Sequence, residues 1–336
     1  MKRSPLATLL ALSLLLLGTA PASAQLFRAY LASDGSDANP CTLALPCRLL
    51  PAAIVAVANG GQIWMLDSAN YNTTTVDVNK SVTILAVPGA VGSVVVTAGP
   101  ALNIATDGVM VALRNLVITP LPAAVGAGIV MTAGQRLTVE ECLVSGLSGH
   151  GITVSADAQV SITDSTIRNN LQLGIGLAAG ARAVITRTTV SDNGSYGVYA
   201  FGGLGGSTTA ADVASSTINR NAAGVYAYSN VAAANVRVSV HGSQVVDNDQ
   251  GILSQSTAGA SVDVSASGNI VSNNVQYGLS ASGAGARMWA SGNTVFRNGT
   301  GMNQASSATF DSASDNAVRY NSTANQTGTI TAVPKS

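Results

Sequence analysis

Glu141 and Asp164 lie 23 residues apart, Arg187 follows after another 23, and Arg114 precedes Glu141 by 27. Two carboxylates set between two arginines are groups that a polysaccharide lyase or glycosidase employs to hold a cation, move a proton or face substrate charge. The same four residues also make a ladder of surface ion pairs, each worth at most about 1 kcal/mol, and that is the reading we prefer. A second group is aromatic. Tyr199 and Tyr226 are 27 residues apart, as are Phe201 and Tyr228, and Tyr196 flanks them. Exposed aromatic side chains gathered on one face fit a partner, and sugar rings lay their C–H faces on such rings. An aromatic ladder covering a sheet, or a surface for self-association, fits the same residues equally well. A third set, Asp192, Arg220, Asp247, Asn273 and Arg297, alternates in sign and complements itself, so no chemistry is assigned to it.

These spacings recur because Gly149–Ser322 is one phrase written seven times. Aligned on a glycine (Gly151, Gly174, Gly197, Gly224, Gly251, Gly278, Gly301), the copies read GHGITV, QLGIGL, SYGVYA, AAGVYA, DQGILS, QYGLSA and GTGMNQ. Each closes on an asparagine: Asn170, Asn193, Asn221, Asn248, Asn274, Asn298 and Asn321. Self-similarity at such a period means a solenoid. Apolar residues alternate within a copy, as in Ile152/Val154 and Val160/Ile162 followed by Ile167, which predicts three short strands per coil. A sequence rich in Gly, Ser, Thr, Asn and Val and poor in Glu, Lys and Leu argues against helical repeats, and no copy carries the leucine frame of leucine-rich repeats. The product is a β-helix. The residue after each glycine (Ile152, Ile175, Val198, Val225, Ile252, Leu279, Met302) should point inward and stack on its counterpart at a strand spacing of roughly 4.8 Å. The asparagines should form a sharp bend, because Asn tolerates the left-handed region and bonds along a ladder of itself.

With these repeats the chain resembles the secreted right-handed parallel β-helix proteins of the pectin-lyase-like superfamily. The resemblance implies an all-β solenoid of about ten to eleven coils with an N-terminal helical cap. It leaves activity open, because such proteins include polysaccharide lyases, hydrolases, epimerases, phage tailspikes and adhesins. Gly149-His150-Gly151 and Glu140-Glu141-Cys142 are similar to the Gly-His-Gly and Asp-Asp-Cys motifs of the polygalacturonases. Here, however, they sit in one coil, Glu replaces Asp, and the later Arg-Ile-Lys motif is missing. No catalytic role is therefore carried onto His150, which holds a variable position.

Residues 1–24 read as a secretory leader: Lys2 and Arg3, an apolar run from Leu6 to Leu17, and a cleavage site after Ala24. Residues 25–60 are expected to form the cap, residues 61–322 the β-helix and residues 323–336 a tail. The cap resembles those of secreted β-helix proteins, with a short amphipathic helix near residues 51–58 that ends at Gly60-Gly61. A secreted or periplasmic protein follows, and in that compartment the close Cys41 and Cys47 should be disulfide-bonded. Cys142 falls on a small-polar position shared with Ser165 and Thr188, which predicts a packed thiol. Asp34-Gly35-Ser36-Asp37 reads as a turn; it lacks the spaced ligands of a calcium loop, so no cofactor and no metal is expected. Without Lys2 and Arg3 the basic count of 16 falls to 14 against 16 acidic residues, a balance that gives no case for nucleic acid. No stretch beyond the leader is apolar enough to span a membrane. Two function classes remain: a non-catalytic β-helix binding polysaccharide or a cell-surface partner through its aromatic face, and a polysaccharide-active enzyme using Arg114, Glu141, Asp164 and Arg187. We favour the first.

Overall fold

The computed structural model describes residues 25–333; the expected leader lies outside the described residues. Each coil contributes one strand to each of three parallel sheets, here C, A and B in chain order. In one coil these are Ile152–Ser155, Gln159–Thr163 and Thr166–Arg168. Sheet A has 13 strands, sheets B and C 11 each, and every neighbour in a sheet comes from the adjacent coil. Ten complete coils run from Val76–Asp77 to Ala317–Arg319, in line with the expected architecture. The inward column pairs in the expected register, Ile129 to Ile152, Ile175, Val198, Val225, Ile252, Leu279 and Met302. All of these residues are buried in one continuous core. Among the described residues no helix is long and apolar enough to cross a membrane.

Two corners of each coil share a design. At the corner between sheets B and C, Asn169, Asp192, Arg220, Asp247, Asn273, Arg297 and Tyr320 hold φ of 53 to 58°. The left-handed residue is thus the one before each closing asparagine, where we expected the asparagine itself. The closing residue instead turns its side chain inward. Each buried amide oxygen accepts from the backbone N–H and the side-chain amide of the preceding coil's asparagine, from Asn170 and Asn193 through Asn221, Asn248, Asn274 and Asn298 to Asn321. An asparagine supplies the acceptor and donors that a sealed corner needs, since each coil leaves peptide groups there with no partner in its own sheet. At the corner between sheets A and B the left-handed residues are Asn115, Glu141, Asp164, Arg187 and Ser215, and then Gly242, Gly268 and Gly292. The next residue again faces in, and Ser243, Asn269, Asn293 and Asn316 continue a second ladder.

The N-terminal end differs from the expected plan in two places. Leu26–Leu31 is already a strand and forms the edge of sheet A beside Val57–Met65. Helix α1, Leu50–Ala56, follows it and buries Leu50, Ala53 and Ile54. It ends at Ala56 because Val57 is extended, with φ −76° and ψ 143°; Gly60 and Gly61 lie inside the next strand and do not terminate the helix. Cys41 and Cys47 are bonded, with Cα atoms 4.6 Å apart. Asp37 Oδ1 accepts the N–H groups of Arg48 and Leu49, which gives this aspartate a structural occupation at the approach to α1. At the other end Ala324–Thr327 and Thr331–Ala332 add strands to sheets C and A, so the stack continues past Ser322.

Two outcomes test this account. Asn248→Ala strands the backbone N–H of Asn221, takes one of three acceptors from the Asn221 side-chain amide and removes the donor to the Ile218 carbonyl, and should cost about 3 kcal/mol in chemical unfolding, while exposed Gln244→Ala changes stability by less than about 0.5 kcal/mol. A cost below about 1 kcal/mol at Asn248 would mean that the ladder is ornamental. Thiol titration of the unfolded, unreduced protein should count one cysteine; a count of three rejects the disulfide.

Candidate functional site

Three successive coils of 27 residues carry lengthened strands in sheet C. Their sheet C strands, Tyr196–Gly202, Ala223–Ser229 and Gln250–Ser256, have seven residues each where Ile175–Ala178 has four. Alternation turns Val198, Ala200, Val225 and Ala227 into the core and leaves Tyr199, Phe201, Tyr226 and Tyr228 outside. The extra length carries the strand beyond Phe201 and Tyr228, so both sit within paired backbone and not at a strand end. Tyr199 pairs with Tyr226, and Phe201 with Tyr228.

The four rings form a quartet in which three of the four contacts are near-parallel and the fourth is tilted. Centroids of Tyr199 and Phe201 lie 5.8 Å apart at 11°, Phe201 and Tyr228 5.9 Å at 15°, Tyr226 and Tyr228 5.6 Å at 26°, and Tyr199 and Tyr226 5.5 Å at 38°. Tyr196 meets Tyr226 edge-on at 4.8 Å. All five rings are half-buried by one another and expose the remainder. The next coil fixes two phenols: Tyr226 Oη donates to Gln255 Oε1 at 2.5 Å, and Tyr228 Oη lies 3.2 Å from Thr257 Oγ1. Burial, with the neighbouring phenols adding to it, holds Tyr199 and Tyr226 well above the ordinary tyrosine value. Gln255 and Thr257 escaped the sequence reading although Gln255 occupies the same repeat position as Tyr228; a glutamine among aromatics gives no hydropathy signal of its own.

The charged columns resolve into corner residues. Glu141, Asp164 and Arg187 occupy successive left-handed corners, as aligned. Arg114 does not join them. It ends the strand Met110–Arg114, pairs in register with Glu140 and binds its carboxylate; the corner residue of that coil is Asn115. The coil is one residue out of the later alignment, and Glu140 was missed for that reason. Arg187 grips Asp164 with Nε and Nη2, both at 2.7 Å, which holds that carboxyl below its usual range. Arg220 and Asp192 pair in the same manner in the other column. The Cys142 thiol is buried beside the Glu140 carbonyl at 3.1 Å and pushed up to about 12 by burial, so it stays protonated and unreactive near neutrality. His150 Nδ1 accepts the Leu173 N–H at 3.3 Å, and burial lowers its basicity.

The phenol shifts predict a pH dependence. A group whose folded pKa is raised contributes stability below its unfolded value, here 10.0, and loses it as pH climbs toward the folded one. Tyrosinate absorbance contributed by Tyr199 and Tyr226, read as the difference between the parent and a Tyr199→Phe/Tyr226→Phe variant, should therefore appear only as the fold loosens in strong alkali. Ionisation of this pair near 10.0 in the folded protein would contradict the packing described.

The architecture has relatives. A family model for the right handed beta helix region matches residues 101–265. The pectate lyase Pel9A superposes with a TM-score of 0.52 at 14% identity, covering 85% of this chain and 78% of that one. XylC, in a complex with xylose, gives 0.64 at 10% identity over 82% and 69%. An alginate lyase from Paenibacillus sp. str. FPU-7 gives 0.51 at 13% identity over 84% and 98%. No curated protein matches the sequence significantly. At these identities the likeness is one of fold: three parallel sheets wound coil on coil make this chain a right-handed parallel β-helix.

Proposed function

We propose that this protein is an exported, non-catalytic β-helix that binds polysaccharide through the aromatic face of sheet C. The observation that carries the reading is the quartet of Tyr199, Phe201, Tyr226 and Tyr228, half-exposed and locked by mutual contact. Rings already fixed in place lose little side-chain entropy when a ligand lands on them, so contact energy is retained as affinity. The hydroxyls of Tyr226 and Tyr228, with Gln255 and Thr257, set polar groups beside apolar faces, the mixture that a sugar ring presents in mirror image. The bonded Cys41 and Cys47 suit an oxidising compartment. Solved structures of the same fold include a pectate lyase, an alginate lyase and a complex with xylose, all named for carbohydrates.

A second reading rests on Glu141 and Asp164, which stand at the same corner of successive coils and face solvent. A polysaccharide-active enzyme would place its chemistry there, and Glu141→Gln or Asp164→Asn would then abolish turnover with binding nearly intact.

The first reading is tested with Tyr199→Ala/Tyr226→Ala. The variant should melt close to the parent, since the inward Val198 and Val225 are untouched, and each lost ring should weaken retention of an oligosaccharide by about 1 kcal/mol. A folded variant that retains every interaction of the parent removes the aromatic face from consideration.

A further inference from the structure

We infer that the ligand of the aromatic face is a neutral glycan and not a uronate polymer such as pectate or alginate; this rests on the carbohydrate-binding reading above and narrows it. The evidence is the distribution of charge between the sheets. Nine consecutive strands of sheet C, from Ile129–Met131 to Ala324–Thr327, contain no Asp, Glu, Lys, Arg or His. The turns that leave the three wide strands, residues 203–207, 230–234 and 257–260, contain none either. Over the same coils sheet A carries Arg136, Arg182, Asp212, Arg237, Asp263 and Arg287. The protein does have charged side chains to spend on an acidic ligand, and they lie on another face.

The corner that precedes the wide strands carries Asp192, Arg220, Asp247 and Asp249, three carboxylates to one arginine. Asp192 and Arg220 hold each other through two hydrogen bonds, at 2.5 and 2.8 Å, and Arg220 also feels Asp247. A carboxylated sugar laid on Tyr199 and Tyr226 would give up hydration of its charge with no cation to replace it, a loss that stacking does not offset. A neutral sugar has no such penalty. Its hydroxyls need groups that donate and accept without charge, and the coils beyond the quartet supply them as Gln255, Thr257 and Asn303. The sheet surface is therefore apolar where rings stack and amide- and hydroxyl-lined where they end.

The test compares neutral xylo- and gluco-oligosaccharides with oligouronates from pectate and alginate, at low and high salt. Three proteins are used: the parent, Tyr199→Ala/Tyr226→Ala, and Tyr199→Leu/Tyr226→Leu, which keeps apolar bulk should the alanine pair fold poorly. The expected result is binding of at least one neutral series that salt does not change and that falls about tenfold or more in both variants. Gln255→Lys, which sets a cation beside the rings, should add uronate binding that high salt removes. Uronate binding by the parent that depends on the rings and weakens with salt would overturn this inference and leave the carbohydrate reading standing. If no saccharide binding depends on the rings, both fall. Ring-dependent self-association in sedimentation would also sink both, by showing that a second copy covers the face.

Discussion

The stacking of one coil on the next depends on a line of buried amides. Between Asn170 and Asn321 every coil turns the corner from sheet B to sheet C with an asparagine pointing inward and bonded to its equivalents above and below. Apolar columns alone would tolerate slippage, because Ile, Val and Leu fill similar space and one inward residue is much like the next. An amide is less forgiving. Moved one residue out of register, it would leave donors and acceptors buried without partners, at a cost of about 1–3 kcal/mol for each group. The hydrophobic core supplies the bulk of the driving force, and the ladder decides which coil residue faces which.

Holding the asparagine inward forces the residue before it into the left-handed region, where a side chain costs roughly 1–2 kcal/mol unless something compensates. The compensation is visible at Asp192 and Arg220, whose side chains leave the corner outward and meet across coils, and at Asp164 and Arg187 on the second corner. Charged residues at these corners are thus products of the turn geometry. They ornament the edges of the solenoid and leave the flat faces between them free of charge or not, sheet by sheet.

The fold was legible because its signal is repetition: a period, an inward apolar residue and a closing asparagine name the coil and its register together. What the repeat did not carry, the sequence did not disclose. Arg114 belongs to a coil with an offset of one residue, so alignment on later copies attached it to Glu141 when its partner is Glu140. The strand Leu26–Leu31 stands apart from any copy and pairs with Val57–Met65 across the whole cap, a long-range contact with no local mark. The asparagine column was recognised, but the bend was put one residue late, because tolerance of the left-handed region and capacity for hydrogen bonding both point to Asn. The structure divides those two properties between neighbouring residues. Of the candidate site, the pairing of Tyr199 with Tyr226 and Phe201 with Tyr228 followed from the 27-residue spacing, whereas the hold of Gln255 and Thr257 on the phenols depends on side-chain reach.

A solenoid separates inside from outside more completely than a globular domain does. Inward positions are fixed by the stack, and outward positions on a flat sheet carry almost no folding duty, so their composition is free to follow the ligand. In sheet C this freedom coincides with a change in coil size. The strands that lengthen to seven residues widen the face, and the wider interior is stitched by hydroxyls, Thr209 to the Phe201 carbonyl at 3.1 Å and Ser229 to that of Gly202 at 2.8 Å. Those two bonds tie down the far end of the strand that presents Phe201 and its neighbour in the next coil. A ring platform on a frayed strand end would have to be ordered by its ligand; here the backbone beneath it is already bonded above, below and within. The run of three strands lengthened to seven residues is therefore the place where the protein has made a broad, rigid, uncharged surface, and no requirement of the stack explains four aromatic rings on the outside of it.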